Sequence, residues 1–236
     1  MPRLAHASEL LDGPLDDPAA LAGNLRDLAR VNRWLGGARL SARALETLTG
    51  AAAARGQAVT FLDVGTGGAD IPLALVRDWR RRGRRLDATG VDDRVEVIAA
   101  ARLATPELDR RGLRLVVADG RALPWPDDAF DVVHCSLVLH HLDERGAVAL
   151  LREMGRVAAR GVVVNDLARG RLAWLGAWLL AHACTRNRYT RHDAPLSVRR
   201  AWSLGEARAL LAVAGLRPVA ELRGVAGHRW AIAARS

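Results

Sequence analysis

The chain has 236 residues, half of them apolar and 26% charged, which suits one globular domain and excludes a disordered or collagen-like polymer. Its charge of +9 comes from 35 basic against 26 acidic residues, and every basic residue is arginine, the habit of a GC-rich genome more than a nucleic-acid footprint. Aromatic residues make up only 4%, so the aromatic–basic interleaving of single-strand binders is missing. The longest strongly apolar stretch, Leu172–Cys184, falls short of the ~20 residues that span a bilayer. Met1–Asp17 lacks the order of a signal peptide, and together these predict a cytoplasmic chain. Cys135 and Cys184 form no CxxC pair, which argues against a disulfide framework or a zinc site.

Residues 1–17 carry acids, Pro and Gly without periodicity and are expected to form a loose arm. After Pro18, Leu21, Leu25, Leu28, Val31 and Leu35 fall at helical spacing; Gly36-Gly37 breaks the run, and a second helix ends before Gly56. Residues 1–56 are therefore expected to form a helical lid ahead of the main domain, 57–236. From Ala58 onward, short apolar runs alternate with amphipathic segments, the pattern of a parallel sheet covered by helices. Strands are predicted near 58–64, 86–92, 113–118, 130–136 and 160–165, and helices near 70–82, 94–104 and 145–158. The stretch 167–202 reads as an insert, with a helix near 170–184 and an Arg-rich loop, Thr185–Arg200. The capping box Ser203-x-x-Glu206 opens a further helix that stops at Gly215. Two last apolar runs, Arg217–Leu222 and His228–Ala234, are joined by the turn Gly224–Gly227 and read as a hairpin. The fold class is thus α/β, a seven-stranded and mostly parallel sheet whose terminal hairpin brings in one antiparallel strand.

The chemistry concentrates at predicted strand ends. Phe61 to Asp70 (FLDVGTGGAD) is a buried strand, a glycine-rich turn and a helix start, where glycines admit positive φ and close approach of a ligand. A dinucleotide-binding GxGxxG starting at Gly65 needs glycine at position 70, where this chain has Asp70. The second strand ends in Gly90-Val91-Asp92-Asp93, a carboxylate placed to accept both hydroxyls of a ribose. Asp119-Gly120 follows the third strand, and the fourth leads into Ser136-Leu137-Val138-Leu139-His140-His141-Leu142. Acidic or glycine-rich tips at successive strand ends make one crevice at the carboxyl edge of the sheet.

Here the sequence resembles the class I S-adenosylmethionine-dependent methyltransferases, in their small-molecule branch. DVGTGGAD (63–70) is similar to the family's glycine-rich first motif, GVDD (90–93) to its ribose-binding acid, ADGRALPWPDDAFDVV (118–133) to its third and fourth motifs and SLVLHHL (136–142) to its post-motif strand end. One departure is Gly68-Ala69 where glycine at 69 is usual. The resemblance implies a Rossmann-like fold and S-adenosylmethionine as cofactor. It places Asp63, Gly65, Thr66 and Gly67 at the methionyl moiety and Asp92 at the ribose. Asp93 and Arg94 would lie beside the adenine, Asp119 and Gly120 would flank it, and Ser136 would line the path to the acceptor.

A sulfonium carries an activated methyl, so the protein must chiefly align the acceptor and exclude water. Where the acceptor is a hydroxyl, a base is useful, and His141 or His140 at the crevice mouth is the candidate; neighbours cannot both point inward, and His141 is preferred. Substrate-binding candidates lie outside the shared core: Arg33 and Trp34 after the first helix, Trp174 and Trp178 at i, i+4 on the insert helix, and His192 in the Arg-rich loop. The insert resembles that of bacterial methyltransferases acting on quinone-like or polyketide-derived acceptors. Its apolar helix suits an acceptor roof, a dimer interface or a membrane surface. His134 and the remaining histidines have no assigned role. No Asn/Asp-Pro-Pro-Tyr follows strand four, which sets aside amino methylation of nucleic-acid bases. Catechol-type magnesium sites use an acid at the end of strand four; Ser136 stands there and leaves Asp166 without a partner, so no metal is expected. The run Trp79–Arg85 is the best RNA candidate, although cations also favour a helix C-terminus. The expectation is a methyltransferase for a small acceptor; an RNA methyltransferase and a non-catalytic binder of the cofactor are the alternatives.

Overall fold

The computed structural model describes residues 1–236. Two helices, α1 (Pro18–Trp34) and α2 (Gly37–Ala54), precede five strands interleaved with three helices: β1 (Val59–Val64), α3 (Asp70–Arg81), β2 (Leu86–Asp92), α4 (Val95–Ala104), β3 (Leu113–Val117), β4 (Phe130–Ser136), α5 (Glu144–Arg156) and β5 (Ala158–Leu167). Helices α6 (Arg171–Cys184), α7 (Arg188–Arg200) and α8 (Leu204–Val213) follow, and the chain ends in β6 (Arg217–Arg223) and β7 (Arg229–Arg235). The sheet order is β3-β2-β1-β4-β5-β7-β6, with β7 antiparallel to both its neighbours and the other pairings parallel.

Alternation along the strands divides the core into two layers. Phe61 and Val132 face α2 and α3, packing on Leu45, Leu48 and Leu75, whereas Leu62 and Val133 face α5 and α8, packing on Leu151, Met154 and Leu211. Helix α2, expected in the lid, thus lays one side on the sheet. The chain leaves β1 in one direction to β2 and β3 and returns to β4 on the other side of β1. That reversal opens a crevice at the carboxyl ends of β1 and β4, where open α/β sheets take their ligands.

Two expectations are corrected. Arg188–Arg200, expected within a loop, is helix α7: Asn187 caps it by accepting from the Thr190 N–H, and Thr190 docks on Asn24 and Asp27 of α1. The arm 1–17 is not loose. The Leu4 N–H donates to Arg199 O, the Leu10 and Leu11 N–H groups donate to the Asp193 carboxylate of α7, and the Arg3 guanidinium lies 3.5 Å over Trp202. By contrast, α6 buries only Ala181 and leaves Leu172, Leu175, Trp178 and Leu179 exposed. No helix is long and apolar enough to cross a membrane.

Candidate active site

A cavity of about 650 Å³ lies over the β1–β4 crevice. At its floor, β1 turns into α3 through Gly65 (φ +67°), Gly67 (φ +53°) and Ala69 (φ +60°). Glycine is required at 65, because a Cβ there would sit 2.4 Å from Val138 Cγ2. Ala69 holds the left-handed position just before α3, where a glycine would cost less strain.

Asp63 closes β1 and is buried. Its Oδ2 accepts from the Thr66 hydroxyl (2.8 Å) and its Oδ1 from His134 Nδ1 (2.6 Å), which leaves His134 Nε2 to accept from Ser41 Oγ (2.8 Å). Asn165 Nδ2 donates in turn to Ser41 Oγ and to Gly37 O. This chain from α2 through β4 to β1 fixes the Asp63 carboxylate, so His134, to which the sequence assigned nothing, is a positioning residue. A histidine inside the apolar run Val132-Val133-His134-Cys135 was itself a signal, since a buried polar group needs a partner.

Asp92 at the end of β2 accepts from the Gly67 N–H (3.0 Å) and the Arg94 N–H (3.2 Å), one bond per oxygen, which leaves a lone pair on each for a ligand. Burial pushes its carboxyl up against those bonds. Asp93, Arg94, Asp119 and Gly120 also line the cavity. Asp119 lies at the rim, held below its ordinary range by the Arg121 guanidinium (2.9 Å). The Arg94 guanidinium donates to Leu11 O and Gly13 O, and so ties down the arm. Asp70 receives the Asn32 amide (3.0 Å) and is raised by burial. Ser136 Oγ is buried with no partner in the protein and is free for a ligand. With Asp63, Asp70, Asp92 and Asp93 on its walls, the cavity suits a cationic, hydroxyl-bearing molecule and repels a pyrophosphate.

At the other end of the cavity stands His141, whose Nδ1 meets Asp12 Oδ1 at 2.7 Å. His140 points away into the core, with Nδ1 on Asp166 Oδ1 (2.7 Å) and its own N–H on Asp166 Oδ2. Burial raises both aspartates, but the histidines, with Arg200 at Asp12, outweigh it and hold both carboxyls low. Glu9 of the arm is buried beside the Nε2 edges of the two rings, and burial lifts its carboxyl to about 7. Glu9, Asp12 and Arg200 had no place in the sequence reading, which weighed Asp166 only as a magnesium ligand, because no local pattern joins an N-terminal arm to the end of α7.

Residues 62–164 match the family model described as a methyltransferase domain. A ubiquinone/menaquinone biosynthesis C-methyltransferase (UbiE) of Rickettsia akari is 30% identical over 102 residues, 41% of each chain. A demethylmenaquinone methyltransferase of Roseiflexus castenholzii is 32% identical over 141 residues, 58% of this chain and 56% of that one. The chain spans about half the length of the curated relatives it matches. Human N-acetylserotonin methyltransferase, solved with S-adenosylmethionine, superposes with a TM-score of 0.68 at 16% identity, covering 96% of this chain and 61% of that one, which bears on fold alone. Over residues 62–164 the chain is therefore similar to methyltransferase domains, and its fold is shared with enzymes of that kind.

The residues fit S-adenosylmethionine, the ligand of that solved neighbour: an acid-lined cavity for a cation, free lone pairs on Asp92, and an unpartnered Ser136 Oγ. Of the substrate-binding candidates, none lines this cavity. Arg33 faces a second cavity between α1 and α3, and Trp34 is 62% exposed at the end of α1. Trp174 and Trp178 lie on α6, with Trp178 stacked on His182 at 4.5 Å. His192 bonds Asp193 on the outer side of α7. These side chains stay outside because α6 packs on α7 rather than over the crevice, and because α1 turns its Leu21, Leu25 and Leu28 inward instead.

Proposed function

We propose that this methyltransferase acts in the cytoplasm and moves a methyl group to an oxygen or carbon of a small, oxygenated, quinone-like or polyketide-derived aromatic acceptor. The observation that carries the reading is the single cavity joining the glycine turn and Asp92 to His141. The names of the curated relatives, both in quinone biosynthesis, support the acceptor class.

When bound, S-adenosylmethionine supplies a methyl already activated on a sulfonium. Asp92 binds the ribose hydroxyls, Asp93, Arg94, Asp119 and Gly120 surround the adenine, and Asp63 with Gly65, Thr66 and Gly67 holds the methionyl end. The work left to the chain is alignment and exclusion of water. Leu11, Leu15 and Leu25 close the cavity from the arm and α1. His141, steadied by Asp12, is the member of the histidine pair that reaches the acceptor side and is placed to take a hydroxyl proton there. His140 acts through it, keeping the turn Leu139–His141 in place by its two bonds to Asp166.

Calorimetric titration with S-adenosylmethionine, S-adenosylhomocysteine and NAD tests the cofactor half, and release of S-adenosylhomocysteine with a panel of quinols and phenols tests the acceptor half. Binding of the first two without NAD, and turnover lost in His141→Ala, is the expected result. Binding of NAD alone would overturn the reading.

A further inference from the structure

Two segments distant in sequence, the N-terminal arm and the turn Leu139–His141, bring Glu9, His140 and His141 together beside the cavity, with one ligand atom of each within 4.8 Å of the others. His140 Nε2 stands 3.7 Å from Glu9 Oε1 and His141 Nε2 3.9 Å from Glu9 Oε2. These gaps are too wide for hydrogen bonds. They are close to the ~3.4 Å that separates neighbouring ligands in a tetrahedral site with bonds of about 2.0–2.1 Å. Glu9 Oε1 is buried and accepts no hydrogen bond.

The surroundings have the form of a metal site's outer shell. Each histidine gives its Nδ1 to a carboxylate, His140 to Asp166 and His141 to Asp12, both at 2.7 Å. That arrangement fixes the tautomer and turns both Nε2 atoms toward Glu9. Three carboxylates (Glu9, Asp12 and Asp166) surround the two imidazoles against one guanidinium, Arg200. Arg200 also approaches Glu9 Oε1, at 3.3 Å, but Asp12 and the His141 carbonyl hold it from the other side, so it does not depend on Glu9 for its place.

We infer that Glu9, His140 and His141 form a binding site for a divalent transition-metal ion, with Asp166 and Asp12 orienting the two imidazoles. Two nitrogens and one carboxylate suit zinc, iron or cobalt better than magnesium or calcium. With three protein ligands the ion keeps an open position. On the reading of the cavity as the methyl-transfer site, His141 is the ligand that lines it, and the ion lies behind that wall with Glu9 and His140 on the buried side. In the loaded site both imidazoles are ligands, and the ion holds the His141 ring at the acceptor wall. The site differs from one built on strand-end acids: Asp166, which lacks a carboxylate partner for magnesium, serves here as the support of His140.

The test is titration of the chelator-treated full chain with Zn²⁺ by calorimetry and with Co²⁺ by visible absorption, alongside S-adenosylhomocysteine. One equivalent of each metal is expected, with the intense visible bands of low-coordinate cobalt. Glu9→Gln and His141→Ala should abolish that binding, and Asp166→Asn or Asp12→Asn should weaken it about 10–100-fold. His182→Ala and His228→Ala, at exposed histidines, should change nothing. S-adenosylhomocysteine binding reports whether each variant is folded and tests the cofactor cavity independently of the metal. Should Glu9→Gln fail to fold, Asp12→Asn at the cavity wall still decides. No saturable binding, or binding indifferent to Glu9 and His141, overturns the inference.

Discussion

Replacing His134 by leucine removes the middle of the buried chain that steadies Asp63. In the native protein the Asp63 carboxylate has two side-chain partners, His134 at 2.6 Å and the Thr66 hydroxyl at 2.8 Å. The loss of a hydrogen bond to a charged group costs about 1.5–3 kcal/mol, and orphaning the Ser41 hydroxyl, now short of its acceptor, costs about 1–3 kcal/mol more. A total of roughly 3–5 kcal/mol results, a large share of the 5–15 kcal/mol that a domain of this kind possesses. Urea unfolding followed by the fluorescence of the seven tryptophans should show a lower midpoint at an unchanged slope. Asp63 is also freed to rotate, so S-adenosylhomocysteine should bind about tenfold more weakly, near 1.4 kcal/mol. In an Asp63→Asn background the same leucine should cost much less, because no charge is stranded, giving a coupling of about 1.5–3 kcal/mol. A cost below about 1 kcal/mol, or an additive cycle, would show that the Asp63–His134 pair does not organise the site.

The other expectations concern the cofactor floor and the acid limb. Asp92→Ala should weaken S-adenosylhomocysteine binding by about 2–3 kcal/mol in calorimetry, since two ribose hydroxyls lose a charged acceptor; unchanged affinity would mean that the crevice is misplaced. Gly65→Ala should destabilise by more than about 2 kcal/mol, because it combines φ +67° with a Cβ 2.4 Å from Val138 Cγ2. Adding Val138→Ala should recover the steric part only, leaving about 1–2 kcal/mol of backbone strain. Burial works against ionised Glu206, yet bonds from Arg169 and the Ser203 N–H hold its carboxyl near 2, below its free value of 4.5. The folded pKa is the lower one, so this contribution is present above pH 4.5 and fades as pH falls toward 2. Glu206→Gln should flatten the acid limb of stability over that window, and superimposable limbs would show the pair to be fully screened.

The floor of the cavity was legible because it is local. A strand that ends in an acid, followed by glycines or a helix start, carries its geometry in a few adjacent residues, and Asp63, Asp92, Asp119 and Ser136 all line the cavity as read. The acceptor half was not, because its bonds join residues as far apart as Leu10 and Asp193, or Asp12 and Arg200. Helix α7 hid for a related reason. Its run of Arg, Asp and Pro195 has no apolar stripe, and it is held by polar groups, with Thr190 and Thr185 both bonded to Asp27. The aromatic residues of α6 misled, since Trp174 and Trp178 suggest a ligand roof only if the helix lies over the crevice, a matter of tertiary packing that spacing does not carry.

A shared fold explains where a methyl donor sits and leaves the chemistry at the acceptor open. In this chain the cavity wall around His141 depends on an ordered sequence of contacts. Asp27 and Asn24 of α1 hold Thr190, and Asp27 also holds Thr185 at the entry to α7. Helix α7 then presents Asp193 to the arm and Arg200 to Asp12. The arm in turn places Glu9 and Asp12 against the histidines. Asp27 does not line the cavity, yet Asp27→Ala strands the buried hydroxyl of Thr190, a cost of about 1–3 kcal/mol, and releases the half-buried Thr185. The damage should fall first on the arm: faster proteolysis before Pro18 and a raised KM for the acceptor, with S-adenosylhomocysteine affinity within about twofold of wild type. An equal loss on the cofactor side would show instead that α1 supports the glycine turn, through Asn32 and Asp70, more than it supports α7.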